Sequence, residues 1–220
     1  MPDSCFKNKS ERAAAFEAAD LYVVISSEFT LGRPVMEIFE AAASAGVTLI
    51  QLREKEKGKK FLYDLAVACR PVANRYGILL MIDDHVDVAL AAGADGVHLG
   101  QEDLPIEAAR AIAPELWLGN STHNLEEALA ARRAGADYIN IGPIYPTRTK
   151  SVSCGALGVD AIRRIAPQVQ LPFSVMGGIK AAQIPELLAA GARHIAMVTE
   201  VTQAPDVAAK VRELRALFRS

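Results

Sequence analysis

The sequence predicts an α/β chain folded as a single closed (β/α)8 barrel of the TIM type with an N-terminal helical extension, on three observations. Short apolar runs alternate with longer amphipathic stretches from one end to the other. The stretches before the second, fourth, sixth and eighth runs close on an Ala-Gly pair, in AGV, AGADG, AGADY and AGARH, a weak fourfold repeat. No break in composition divides the 220 residues, so eight strand-helix units fit one ring. An open doubly wound sheet would carry a glycine-rich fingerprint after its first strand, and SSEFTLGRP does not supply one.

The strands are expected at 21–26, 47–54, 78–83, 96–100, 116–121, 138–144, 172–177 and 194–198. Each is short and either rich in β-branched residues or almost wholly apolar, as strands buried on both faces should be. Between them LEEALAARRAG and IPELLAAGA carry apolar residues at helical spacing. Gly46, Gly93, Gly135 and Gly191 stand where a left-handed residue closes a helix. Residues 1–20 read as a helical extension capping the barrel, and 21–220 as the barrel itself.

Composition removes several function classes. Lys and Arg number 24 against 26 acids, a net charge of −2, which does not supply the basic face of a nucleic-acid binder. MPDSCFKNKSER has no apolar core and is not a secretory signal, and no stretch approaches the ~20 apolar residues of a membrane span. Cys5, Cys69 and Cys154 are odd in number and match no metal-ligand spacing. They fit reduced thiols in a cytoplasmic protein. Self-association into a homo-oligomer is left open.

In such a barrel the chemistry sits on the loops after the strands. Side chains alternate along a strand, so Gln51, Arg53 and Lys55 share one face while Leu52 and Glu54 share the other. Asp83 and Asp84 follow the third strand and Asp103 the fourth. Each acid on its own reads as a helix cap, yet together they suit a hard cation such as Mg2+, which takes one or two carboxylates, waters and phosphate oxygens. After the fifth strand Asn124 and Glu127 form a capping box, which leaves Ser121 and His123 without a capping role. After the sixth, YPTRTK crowds Thr147, Thr149 and Lys150 onto the end of a buried strand, stiffened by Pro143 and Pro146. The glycines of MGGI and the backbone at Val198 and Thr199 offer amides for a phosphate after the seventh and eighth strands. The donors outnumber what one phosphate needs, so the mouth is expected to take two phosphorylated small molecules, one of them a metal-bound polyphosphate.

These residues resemble the thiamine-phosphate synthase family. The likeness runs from about Leu21 to the C-terminal helix, in QLREK, DDHVDVALAAGADGVHLGQEDLP, GNSTHNLEEALAARRAGADYINIGPIYPTRTK, MGGI and AMVTEV. GADGVHLGQEDLP and GPIYPTRTK are its specific parts. The resemblance implies a Mg2+-dependent transferase of thiamine biosynthesis that joins a pyrimidine methyl diphosphate to a thiazole phosphate and releases pyrophosphate. It further implies that Gln51, Arg53 and Lys55 grip the pyrimidine diphosphate, that Asp84 and Asp103 hold Mg2+, and that Ser121 and Lys150 contact the diphosphate. Thr147, Thr149, Gly178, Val198 and Thr199 would hold the thiazole phosphate.

Two positions depart from the family's pattern. Asp83, in the substrate site, stands where Asn is usual, and a carboxylate accepts hydrogen bonds where an amide also donates. Thr199 stands where Ser is usual. Two alternatives remain: a related thiazole tautomerase with His123 as acid/base, which generally lacks the GQED and PTxTK features, and a non-catalytic barrel that binds thiazole or thiamine phosphate.

Overall fold

The structure is a computed structural model that describes residues 3–147 and 155–219. Eight parallel strands close in sequence order, each bonded to the next and the first to the last. They are β1 (Leu21–Ile25), β2 (Leu49–Leu52), β3 (Leu79–Asp83), β4 (Gly96–Leu99), β5 (Trp117–Thr122), β6 (Tyr138–Ile141), β7 (Phe173–Val175) and β8 (His194–Met197). The helices are α1 (Lys9–Ala18), α2 (Val35–Ser44), α3 (Lys59–Tyr76), α4 (Val86–Ala91), α5 (Ile106–Ile112), α6 (Leu125–Ala134), α7 (Asp160–Val169), α8 (Ile184–Ala189), α9 (Thr199–Thr202) and α10 (Val207–Ala216). No helix among the described residues is long and apolar enough to cross a membrane.

Alternation along the strands divides the apolar residues into two cores. Outward residues such as Val23, Ile50, Leu80, Val97 and Ile139 pack under the helices. Inward residues Tyr22, Val24, Leu49, Leu79, Met81, Trp117 and Tyr138 fill the ring. Phe16 of α1 enters this inner core from below, where the strands begin. Its ring lies 4.5 Å from those of Tyr138 and His194 and 5.8 Å from that of Trp117, so α1 plugs the N-terminal end. Gly119 makes the room for Tyr138, because a Cβ there would overlap the phenol ring.

The expected repeat has a physical basis. Gly46, Gly93, Gly135 and Gly191 all adopt positive φ, between 65° and 98°. In each case the next residue's amide reaches back five residues: Val47 to Ala42, Ala94 to Ala89, Ala136 to Ala131 and Ala192 to Leu187. This is the Schellman closure, available to glycine at no steric cost. The acids that follow two of these turns then lock the ring. Asp95 accepts from the Leu80 amide and from the fully buried Arg70, and Asp137 accepts from the Leu118 amide and from Arg110. Each carboxylate stands just before an even strand and joins the preceding odd strand to the helix that leads into that odd strand.

Candidate functional site

The mouth at the strands' C-terminal ends collects the charges that the alternation predicts. Beyond β2 the Arg53 amide continues the ladder to Ile25 O at 2.9 Å. Gln51, Arg53 and Lys55 face the interior side, while Leu52 joins the outer core. Glu54 turns away and accepts from the amide and the hydroxyl of Ser27. Asp83 ends β3 at 7% exposure. It accepts from Gln51 Nε2 at 2.6 Å and pairs with Arg53 Nε at 3.3 Å and Lys55 Nζ at 3.7 Å.

Asp84 lies in the left-handed region, φ 62°, and its amide donates to His98 O at 2.8 Å. Its carboxylate meets the Lys55 ammonium and the Asp103 carboxyl. Asp103 in turn accepts from the Gly100 amide at 2.6 Å. None of these acids caps a helix: the cap positions of α4 and α5 are His85 and Pro105, without a side-chain cap bond. Burial works to raise Asp84, but the hydrogen bonds from Lys55 and Asp103 and the Lys55 charge hold it below the usual carboxylate value. Burial, then the contact with Asp84, raises Asp103 against the Gly100 amide. Lys55 is lowered by burial yet raised overall by Asp84 and Asp83. Like charges in contact are thus pushed apart in their titration, Asp84 downward and Asp103 upward.

Two oxygen-bearing acids on the loops after adjacent strands fit the ligand set of Mg2+, which fills its remaining positions with water and substrate oxygens. Among the described residues no group of three or more His, Cys, Asp or Glu side chains gathers that could hold a metal ion without further ligands from water or substrate.

Ser121, at 7% exposure, faces inward from β5, and its hydroxyl lies 2.9 Å from His98 Nε2. His123 is engaged elsewhere. Its amide and its Nδ1 both reach Glu127 Oε2 at 2.8 Å, while Asn124 caps α6 by accepting the Glu127 amide. The capping-box Glu is thus the partner that sequence reasoning did not assign to His123.

On the far side of the mouth the loop after β6 is zipped to the end of β7. Ile144 donates to Met176 O at 2.8 Å and Tyr145 to Gly177 O at 2.9 Å. A Cβ at Gly178, φ 64°, would overlap the Pro146 carbonyl oxygen. That close approach builds a cleft of about 50 Å³ lined by Thr147, Gly177, Gly178, Val198 and Thr199. Lys180 and Glu200 pair at 3.1 Å on its rim. Thr149 and Lys150, with Cys154 and most of the segment TKSVSCGALG that is long enough for a lid, lie outside the described residues. Cys5 and Cys69 are free thiols, and burial pushes Cys69 up to about 12.

Sequence reasoning missed the interior polar side chains Tyr22, His98 and Tyr138, which join Gln51 and Ser121 in one hydrogen-bonded series. It also missed Gln101, whose amide reaches Ser121 O at 2.5 Å.

The family model for thiamine monophosphate synthase matches residues 21–201. A thiamine-phosphate synthase of Pelotomaculum thermopropionicum is 40% identical over 201 residues, covering 91% of this chain and 92% of its own. One from Shouchella clausii is 43% identical over 197 residues, 89% and 94% of the two chains. A solved thiamine phosphate pyrophosphorylase from Pyrococcus furiosus superposes with a TM-score of 0.85 at 37% identity, over 91% of this chain and 96% of that one. A 3-hexulose-6-phosphate synthase, TM-score 0.62 at 23% identity over 90% and 99%, shares the fold. On this agreement of sequence, motif and architecture, the chain belongs to the thiamine monophosphate synthase family.

Proposed function

We propose that this protein is a thiamine-phosphate synthase. It joins 4-amino-2-methyl-5-(diphosphooxymethyl)pyrimidine to 4-methyl-5-(2-phosphooxyethyl)thiazole and releases pyrophosphate. The observation that carries the reading is the meeting of Asp84 with Asp103 beside Lys55 and Arg53, across the mouth from the Gly178 cleft.

The C–O bond from the pyrimidine methylene to the diphosphate breaks with its electron pair going to the diphosphate. The thiazole nitrogen then supplies the pair for the new C–N bond, and that step needs no general base. The barrier therefore lies in leaving-group charge and in alignment of the two substrates. Arg53, Lys55 and Lys150 supply fixed positive charge to the diphosphate, and Gln51, Asp83 and Ser121 contact the same substrate. Thr147, Thr149, Gly178 and the Val198–Thr199 backbone hold the thiazole phosphate in register. Asp84 and Asp103 would hold Mg2+, which when bound offsets charge on the leaving oxygens. A proton-transfer isomerase would need a movable His123, and that ring is tied to Glu127. A cytoplasmic setting accompanies this reading.

The test is an assay of the purified chain with each substrate alone and with both, with and without Mg2+. Pyrophosphate release that requires both substrates and the metal is expected. Isomerisation of the thiazole phosphate alone, or binding without turnover, would overturn the reading.

A further inference from the structure

Six side chains cross the barrel interior in one hydrogen-bonded series. Asp83 meets Gln51 Nε2 at 2.6 Å, and Gln51 Oε1 meets the Tyr22 hydroxyl at 2.5 Å. Tyr22 meets the Tyr138 hydroxyl at 3.1 Å, Tyr138 meets His98 Nδ1 at 2.9 Å, and His98 Nε2 meets the Ser121 hydroxyl at 2.9 Å. All six are at most 7% exposed.

The direction of every bond follows from the first. A carboxylate paired with Arg53 and Lys55 only accepts, so Gln51 turns its NH2 toward Asp83 and its carbonyl toward Tyr22. Tyr22 has one hydroxyl proton and gives it to Gln51, so it must accept from Tyr138. Tyr138 has then given its own proton and must accept from His98, which fixes the proton on Nδ1. An imidazolium at 3% exposure would carry a charge-burial penalty. In the neutral ring Nε2 is therefore the acceptor, and Ser121 donates to it.

We propose that Asp83 sets the polarity of this series, with His98 as the positioning residue, so that Ser121 meets a bound ligand through its oxygen lone pairs alone. A phosphate oxygen opposite Ser121 would then face lone pair against lone pair. The matching group is a donor, which on the function proposed above is the exocyclic amine of the aminopyrimidine. An amide at position 83 can donate or accept, so it permits the reverse direction, in which His98 is protonated on Nε2 and the Ser121 hydroxyl points at the ligand as a donor.

Nitrogen-15 NMR of the imidazole rings in the ligand-free protein reads this directly. The His98 signals, identified by their loss in His98→Gln, are expected to show a protonated Nδ1 and an unprotonated Nε2. A ring protonated on Nε2, or on both nitrogens, in the unaltered protein overturns the proposal, whatever the variants do. Asp83→Asn is expected to populate the Nε2–H form. Tyr22→Phe cuts the series while leaving the Asp83 charge in place, and it is expected to do the same. If Asp83→Asn changes nothing, or acts where Tyr22→Phe does not, the control is not through the series and the idea fails. A second arm tests the ligand. A pyrimidine diphosphate lacking the amine should bind roughly tenfold more weakly to the native protein. It should show no such deficit against the natural substrate in Ser121→Ala; a deficit that persists there refutes the acceptor role, and the NMR result stands apart from whether the synthase reading holds.

Discussion

Lys55 sets its ammonium against the carboxylate of Asp84, the same acid that is hydrogen-bonded to Asp103. The lysine thus holds a cation next to the two acids proposed above to hold Mg2+, and a Mg2+ entering there would have to work against it. Lys55→Met is expected to tighten Mg2+ binding in the absence of substrate, because like-charge repulsion is removed. The same change should slow turnover by about 10²-fold, since one fixed charge on the leaving diphosphate is lost. Calorimetric Mg2+ titration beside single-turnover pyrophosphate release separates the two effects. A variant with weaker metal binding would contradict the role given to this contact.

Asp84 carries its carboxylate on a left-handed backbone, φ 62°. Asn is among the few residues that accept this conformation readily, so Asp84→Asn removes charge without adding backbone strain. Its thermal midpoint should stay close to that of the native protein while metal-dependent turnover falls by about 10²-fold or more. Asp84→Ala should lose the same activity and also about 1–2 kcal/mol of stability. Paired unfolding and activity curves for the two variants check this. Equal stability losses would mean that the contacts of the carboxylate, and not the left-handed turn, are what Asp84 supplies to folding.

Gly178 is constrained twice, by φ 64° and by the Pro146 carbonyl lying where a Cβ would go. Gly178→Ala must push the loop after β6 away from β7 and open the cleft that Thr147 and Thr199 share. The expected outcome is a loss of about 1–3 kcal/mol in stability, with a raised KM for the thiazole phosphate and little change in KM for the pyrimidine diphosphate. Steady-state kinetics with each substrate varied in turn distinguishes this from general damage, which would raise both.

The parts of the molecule legible in the sequence are those fixed by local rules. Four Ala-Gly pairs announce four left-handed helix ends because only glycine takes that backbone cheaply. Alternation alone sends Arg53 and Lys55 to one side and Glu54 to the other. Asp84 and Asp103 are 19 residues apart in sequence, and the parallel pairing of β4 beside β3 makes them neighbours. Tyr22 and His98 escaped because strands buried on both faces show no polar alternation, so LYVVI and GVHL do not tell which side looks inward. The capping reading of the acids failed for a related reason: a favourable residue type near a helix start does not decide where its carboxylate turns. Asp103 turns back to Gly100 and on to Asp84.

At the opposite end of the barrel His194 couples folding to pH. Its Nδ1 lies 2.8 Å from Ala19 O, its ring lies 4.5 Å from that of Phe16, and it is 3% exposed. Burial lowers its pKa below the ordinary 6.5 and the positive Arg193 adds to this, although the bond to Ala19 O and the charges of Glu17 and Asp20 oppose it. A histidine lowered in the folded state binds fewer protons there than in the unfolded chain, so stability rises with pH across the interval between the two values. The contribution is fully present above 6.5 and is lost progressively as pH falls toward the folded value. His194→Asn keeps a polar side chain at the site but does not titrate, and it should flatten the fall in urea midpoint between about pH 7 and pH 5. Because Phe16 and Ala19 both belong to the segment that plugs the barrel, protonation should loosen that segment first. Amide exchange in residues 9–18 is therefore expected to quicken at lower pH before exchange in the strands does; uniform quickening throughout would show that His194 does not act at the plug.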